Sequence, residues 1–454
     1  MDRFVVEGGH PLDGAVSISG AKNAVLPLMA ASLLTSEELR ICHAPRLRDV
    51  MQMGRVLAAL GVHADHKPDG TLVLDAGGVS SVHAPYEEVR QMRGSFMVLG
   101  PLLARFGEAR VPHPGGCVIG FRPIDLHLKG LLALGAVVTE EHGDIVARAP
   151  DGLQGGEVFL GGPMGSTVTG TINVMLAATL ARGETVVEGA ACEPEVADVA
   201  SCLIAMGAGI RGAGTPQLVI EGVEELRGAT HTVLPDRIEA GTFLLAGVAS
   251  RGGRVTVQDC RPGDLIALLD ALRQAGVQVE RTADSLSVEG GQPMRATDIA
   301  THPHPGFPTD LQAQWLAVMT QADGNALVEE RIYPDRFNYL AELARLGAKI
   351  RRSGPRALSM GPVRLSGAHI MASDLRASAS LVIAGLVADG ETSIHRVYHI
   401  DRGYERIEEK LCALGGVVAR KRDSDPGDRE DVLESAVQVE ADAEAFPTRH
   451  EVIT

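Results

Sequence analysis

The residues of this chain best suited to chemistry are a cysteine on a glycine-rich loop and a recurring set of charged side chains at helix starts. Cys117 stands in P-H-P-G-G-C-V-I-G-F-R-P-I-D-L-H-L, with two glycines before it, one after it and Arg122 five residues on. Such a segment reads as an open loop. A partly exposed thiol in a positive field is biased toward the thiolate, which is the reactive form. Cys42, Cys202 and Cys412 sit in apolar strand or helix settings and read as core, while Cys192 and Cys260 fit either setting. Asp310, in H-P-G-F-P-T-D-L-Q-A-Q, has two readings: a general base, or a helix cap beside Thr309. Local sequence favours the cap.

Lys22, Arg93, Asp236, Asp310 and Arg376 mark the starts of one recurring helix, and Arg48, Arg122, Arg261, Arg336 and Arg402 the starts of a second. Helix N-termini already favour anions through free N–H groups and the dipole. Cations placed there as well suit a ligand with several negative charges. The competing reading is that a repeated Arg only braces neighbouring repeats, and it is preferred for Arg48 and Arg261, which have no other chemical group beside them. The histidines of T-H-P-H-P-G lack the spacing of metal ligands on one helix face, so no metal and no cofactor is expected. The stretch F-L-G-G-P-M-G-S-T-V-T-G-T matches neither a P-loop nor a dinucleotide fingerprint, though its N–H and hydroxyl groups can donate to phosphate.

These groups must be positioned by a repeat with a period of about 70 residues. Its mark is an amphipathic helix that ends in Leu/Met-Gly-small and leads into a strand. The repeats end at Gly61, Gly135, Gly207, Gly276 (the weakest), Gly347 and Gly415. Val196, Val199, Leu203 and Met206 recur at helical spacing, as do Tyr404, Ile407, Leu411 and Leu414. Asp49, Asp125, Asp198, Asp264, Asp335 and Asp401 stand near the six helix starts and read as caps, with glycine as the left-handed terminator. Upstream in each repeat lies a second apolar helix, then a short strand. Alternation of this kind predicts an α/β fold. Periodicity leaves open whether six units form one ring or two three-unit domains.

The 454 residues allow two or three domains, and at 45% hydrophobic and 22% charged they can bury a large core. The net charge is −16, and residues 423–454 hold ten Asp/Glu against two Arg, a net −8. That acidic segment reads as a disordered tail. An acidic chain with 3% aromatics and no basic stripe argues against nucleic acid as partner. The lack of an 18-residue apolar run argues against a membrane span. An N-terminus without a secretion signal and cysteines without C-x-x-C spacing lead us to expect a reduced, cytoplasmic chain.

Seven blocks stand in order between residues 1 and about 422: G-A-K-N-A-x-L-P, P-G-G-C-x-I-G-x-R-P-x-D-L-H, E-P-E-V-x-D, P-D-R-I-E-A-G-T, G-F-P-T-D-x-Q-A-Q, D-L-R-A-S-A-S-L and H-I-D-R-G-Y-E-R-I-E-x-K-L. Together they closely resemble the UDP-N-acetylglucosamine 1-carboxyvinyltransferase family. Those enzymes are enolpyruvyl transferases that make the first committed step of peptidoglycan synthesis. The 5-enolpyruvylshikimate-3-phosphate synthases share the fold but not these blocks.

The resemblance implies two inside-out α/β barrel domains of three repeats each, residues 22–233 and residues 1–21 with 234–422, and an active site in the cleft between them. It implies that the enolpyruvyl group of phosphoenolpyruvate passes to the 3-hydroxyl of UDP-N-acetylglucosamine and that phosphate is released. Lys22, Asn23, Arg122 and Arg402 would hold phosphoenolpyruvate, joined on closure by Arg336 and Arg376. Cys117 would be the proton donor and the target of the epoxide fosfomycin, and Asp310 the carboxylate facing the sugar hydroxyl. The nucleotide sugar would meet Asn23, Arg93, Arg122, Pro123, Ile124, Asp125, Leu126, Gly165, Ser166, Thr167, Val168, Asp310 and Ile332. His127, Glu193, Asp236 and Asp374 match positions with supporting roles. The loop here departs from the family, reading G-S-T-V-T-G-T where P-S-V-G-A-T is common, and the chain before it is about three residues longer. That departure keeps a second acceptor in view, another nucleotide such as UMP.

Overall fold

A computed structural model describes residues 2–115, 123–163 and 165–422. Cys117, Arg122 and the acidic segment 423–454 lie outside the described residues. The fold is α/β, with helices inside and sheets outside.

Buried apolar side chains form two cores. One is built from residues between Ala21 and Leu234. The other takes Phe4 to Ile18 from the N-terminus and continues from Ile238 to Val418. Three sheets flank each core. Around the first they comprise Leu39–Cys42, His63–His66, Leu72–Asp75 and Ala229–Thr232; then Glu108–Pro112, Val137–Glu141 and Asp144–Arg148; then Glu157–Phe159, Glu184–Glu188, Gly209–Arg211 and Gln217–Glu221. Asp2–Glu7 and Gly14–Ser17, from the chain's start, join two of the three sheets around the second core.

The inner helices carry apolar residues on all sides, with few polar ones among them, which is why they lie within the cores. All residues of Arg237–Ala249, Gln312–Met319 and Ala377–Val387 are buried. Lys22–Ala31 and Val168–Ala178 are buried beyond their first residues. The outer helices bury one stripe: Val196, Val199, Leu203 and Met206 are buried, as are Tyr404, Ile407, Leu411 and Leu414. Among the described residues no helix is long and apolar enough to cross a membrane.

The six repeat-ending glycines all adopt positive φ, from 84° at Gly135 to 108° at Gly207. Only glycine takes that conformation without strain. The aspartates near the outer helices behave otherwise. The helices Arg48–Leu60 and Asp125–Ala133 have no side-chain cap. Asp49 pairs instead with Lys22 and Arg402, Asp198 with His231, Asp335 with Arg352 and Asp401 with Arg420. Tertiary partners take the carboxylates that local reasoning assigned to capping. Two arginines also move relative to expectation. Arg336 precedes its helix, Leu340–Arg345, by four residues, and Arg402 closes the 3₁₀ turn Val397–Arg402 rather than opening a helix. Cys412, read as core, is exposed, and Cys42 is half-buried.

The chain passes between the cores twice, side by side. Ala21 N–H donates to Leu234 O at 2.8 Å, and Asp236 N–H to Ser19 O at 2.9 Å. This double crossing brings the starts of two inner helices, Lys22 and Asp236, to one place.

Candidate active site

Between the two cores lies a cavity of about 370 Å³. Lys22, Asn23, Asp49 and Arg93 line it from the first core, and Asp310, Arg336, Arg376 and Arg402 from the second. These charged groups fall into two clusters, each centred on a carboxylate.

The first cluster is centred on Asp49. Its Oδ2 is 3.1 Å from Lys22 Nζ, and its Oδ1 accepts from Arg402 Nε at 2.8 Å. Arg402 Nη2 reaches Asp49 Oδ2 at 3.3 Å. Burial pushes the Asp49 carboxyl up, but Lys22 and Arg402 outweigh it and hold the group below its ordinary value. One buried carboxylate therefore gathers two cations from opposite sides of the cavity.

The second cluster is centred on Asp310. Its Oδ1 accepts from Arg336 Nη1 at 2.7 Å, and its Oδ2 accepts from Asn23 Nδ2 at 3.3 Å and lies 3.8 Å from Arg376 Nε. Burial raises the Asp310 carboxyl, but Arg336, Arg376 and Lys22 hold it well below the usual carboxylate range. The helix Gln312–Met319 that follows is not capped by Asp310, because the side chain turns toward the cavity. The cap reading fails, and Asp310 stands as an ionised carboxylate, its side chain 24% exposed.

Both guanidiniums are held from behind. Arg376 Nη2 donates to Asp236 Oδ2 at 2.9 Å and Nη1 to Gly403 O at 3.1 Å, while its plane lies 4.9 Å from the Tyr404 ring centre. Burial lowers the pKa of Arg376, and Asp236, Tyr404 and Asp310 more than restore it. Arg336 is likewise desolvated but kept charged by Asp310 and Asp374. Asp236 also caps Arg237–Ala249 and accepts from Lys22 N–H at 3.2 Å. Asp374 accepts from Arg376 N and Ala377 N, both at 2.9 Å. The cations are thus preorganised by anions on their far sides.

The wall from the first core includes Pro123, Asp125, Leu126, Gly165, Ser166, Thr167 and Val168, and Ile332 faces it from the second. Arg93 Nη2 donates to Pro123 O at 3.0 Å. Thr167 caps Val168–Ala178 by accepting from Gly170 N–H at 3.2 Å. Ile124 does not line the cavity but packs against the first core. His127 is buried behind the wall, with Nε2 3.0 Å from Thr169 Oγ1 and Nδ1 3.1 Å from Asn173 Nδ2.

Asp49, Arg237 and Glu195 line the cavity and escaped sequence reasoning. Asp49 had no local signal beyond its place in a helix. Arg237 donates from Nε and Nη2 to the two oxygens of Glu195, at 3.0 and 3.3 Å, a buried pair that ties the two cores together. The motifs P-D-R and E-P-E carry both residues, but nothing in either motif names the other. Glu193 was placed near the site, but not its state. Burial raises its carboxyl, one oxygen accepts from His304 N–H at 3.2 Å, and Oε2 is buried without a partner among the described residues.

Cationic groups converging beside an ionised carboxylate can bind a small polyanion and take a proton from a neutral hydroxyl next to it. Known proteins fit this chemistry. Residues 6–411 match the family of EPSP synthase (3-phosphoshikimate 1-carboxyvinyltransferase). The chain is 52% identical over 424 residues to the UDP-N-acetylglucosamine 1-carboxyvinyltransferase of Caulobacter vibrioides (strain NA1000 / CB15N), covering 92% of this chain and 98% of that one. It is 52% identical over 421 residues to the protein of the same description from Solibacter usitatus, covering 92% and 100%. Among solved structures, the enolpyruvyl transferase NikO from Streptomyces tendae superposes with a TM-score of 0.82 at 26% identity, over 92% of this chain and 99% of that one. An EPSP synthase from Acinetobacter baumannii shares the fold at a TM-score of 0.70 and 18% identity, over 93% and 100%.

Proposed function

The chain belongs to the EPSP synthase family, and from that premise we propose that it is an enolpyruvyl transferase acting on UDP-N-acetylglucosamine in the cytoplasm, at the first committed step of peptidoglycan synthesis. The observation that carries the acceptor is the 52% identity, over nearly the whole chain, to UDP-N-acetylglucosamine 1-carboxyvinyltransferases.

The proposed reaction follows from the two clusters. Lys22 and Arg402, with Arg122 and Asn23, take the phosphate and carboxylate of phosphoenolpyruvate. Arg336 and Arg376 complete the clamp. Asp310 accepts the proton of the sugar 3-hydroxyl as its oxygen attacks C2, and Cys117 delivers a proton to C3. The resulting tetrahedral ketal then gives a C3 proton back to the Cys117 thiolate as phosphate departs, which leaves the enolpyruvyl ether. Several cations are needed because two unit charges 4 Å apart attract by only about 4 kcal/mol at an effective dielectric near 20. An acidic chain must gather two polyanions against its own net charge of −16. The depressed pKa of Asp310 has a consequence here. A polyanion bound beside Arg336 and Arg376 offsets their charge and makes the carboxylate more basic when both substrates are present.

Arg93, Asp125, Leu126, Ile332 and the 165–168 segment form the acceptor side of the proposal, and fosfomycin is the expected covalent inhibitor at Cys117. A phosphate-release assay with phosphoenolpyruvate and either UDP-N-acetylglucosamine or UMP tests the reading. Turnover with the sugar nucleotide is expected. Turnover with UMP and none with the sugar nucleotide would overturn the acceptor, and release with neither would overturn the activity.

A further inference from the structure

Glu330 is a fully buried carboxylate that takes no part in the proposed reaction, yet three segments of the cavity wall converge on it. It follows the strand Gly324–Glu329 directly, with its own N–H on Pro355 O at 2.8 Å. Oε1 accepts from Thr301 Oγ1 at 2.7 Å, from Ile332 N at 2.8 Å and from Tyr333 N at 3.0 Å. Oε2 accepts from Thr309 Oγ1 at 2.8 Å.

Each donor leads to the cavity. Thr301 precedes His302, and Thr301 Oγ1 also accepts from Arg331 N at 2.8 Å, so it steadies the chain on both sides of Glu330. Ile332 and Tyr333 line the acceptor wall, and their two N–H groups share one carboxylate oxygen. Thr309 adjoins Asp310, and its Oγ1 lies 3.2 Å from Arg336 Nη1, the nitrogen that holds Asp310 Oδ1 at 2.7 Å. Four donors on one carboxylate satisfy it with no cation in direct contact among the described residues, and such charge-assisted bonds are short and directional. A neutral side chain cannot accept all four.

We propose that Glu330 is a positioning residue. It locks Asp310, Arg336 and the Ile332–Tyr333 segment into one rigid unit, so that the base and the acceptor wall keep a set distance from each other. Of the phosphoenolpyruvate cations, Arg336 belongs to this unit, while Lys22 and Arg402, held by Asp49, lie outside it. The consequence is a separation of effects: loss of the Glu330 charge harms the use of the acceptor and the chemical step far more than the binding of phosphoenolpyruvate, which keeps Lys22 and Arg402. This rests on the reading of Asp310 as the base for the acceptor hydroxyl.

Glu330→Gln and Thr309→Val in the full chain test it, the second cutting a single leg of the hub. Steady-state kinetics is paired with hydrogen exchange of segments 309–312 and 331–334. For Glu330→Gln the expected result is at least a tenfold fall in kcat, a raised KM for the sugar nucleotide, a KM for phosphoenolpyruvate within threefold of wild type, and faster exchange in both segments. For Thr309→Val the kcat falls while exchange at 331–334 stays as in wild type. A Glu330→Gln protein with kcat within twofold of wild type, or with its loss confined to KM for phosphoenolpyruvate, would overturn the proposal. A wild-type chain inactive with the sugar nucleotide would sink the functional reading alone. The hub would then be judged by exchange, and unchanged exchange in both segments of Glu330→Gln would overturn it.

Discussion

Removing Arg402 separates a clamp from a brace. In Arg402→Ala, Asp49 loses the contacts at 2.8 and 3.3 Å and keeps Lys22 at 3.1 Å. The direct attraction lost at 2.8 Å is on the order of 6 kcal/mol at an effective dielectric near 20. Most of it is offset by rehydration of a site open to the cavity, where the Arg402 side chain is 15% exposed. Charge-assisted hydrogen bonds contribute about 1.5–3 kcal/mol net, and Asp49 is not left unpaired. The cost in stability should therefore stay at or below about 3 kcal/mol. The cost in rate should be larger, because Arg402 and Lys22 aim at one point and a polyanion needs both. Loss of one preorganised charge donor costs about 2.7–4 kcal/mol of transition-state stabilisation, roughly 10²–10³ in kcat/KM. Arg402→Lys keeps a point charge without the fork that meets both Asp49 oxygens, and should fall between. The assay is phosphate release under kcat/KM conditions, with thermal melts alongside. A folded Arg402→Ala protein within threefold of wild-type kcat/KM would refute the clamp. So would a rate loss no larger than the loss of folded protein.

Three further outcomes are expected. Asp49 and Asp310 are both held below their ordinary value of 3.8, so the stability they contribute is complete above about pH 4 and is lost as the pH falls toward their folded values. Urea melts from pH 6 to pH 3 should decline less steeply for Asp310→Asn than for wild type, and equal slopes would contradict the assignment. Gly61→Ala should cost more than Gly207→Ala. Both have φ above 100°, worth about 1–2 kcal/mol of strain, but a Cβ at Gly61 meets the Gly78 carbonyl while one at Gly207 meets nothing within 4 Å. Equal melting temperatures for the two variants would count against this. Mass mapping after treatment with fosfomycin and UDP-N-acetylglucosamine should find label on Cys117. Burial pushes the competing thiols up, Cys202 to about 12 and Cys260 to about 11, and it raises Cys192 together with Glu193, so label on any of these would sink the assignment.

What the sequence alone determined was the local backbone and the periodic faces. A positive-φ terminator needs glycine whatever surrounds it, so Gly61, Gly135, Gly207, Gly276, Gly347 and Gly415 were legible one by one. A helix with apolar residues on all its sides has nowhere to go but a core, which made the inner helices legible too. Cys412 marks the limit of such reasoning. It is one residue past the buried Leu411, and about 100° of helix rotation carries it to solvent. The motif blocks brought Lys22, Asp310, Arg376 and Arg402 to notice, and the repeated helix-start position brought Arg336, because charged side chains in an apolar repeat stand out. Only the tertiary structure decided what each carboxylate does. Asp49 and Asp310 sit where a helix cap is the sensible local reading, yet cations separated from them by 353 and 26 residues claim them. Glu330 carried no signal at all, since its donors are contributed by Thr301, Thr309, Ile332 and Tyr333 and meet only once the chain has folded. A cap is satisfied by neighbours along the chain, but an ion pair or a buried hub is satisfied by whatever the fold brings within 3 Å, and that distance is not written in any stretch of sequence.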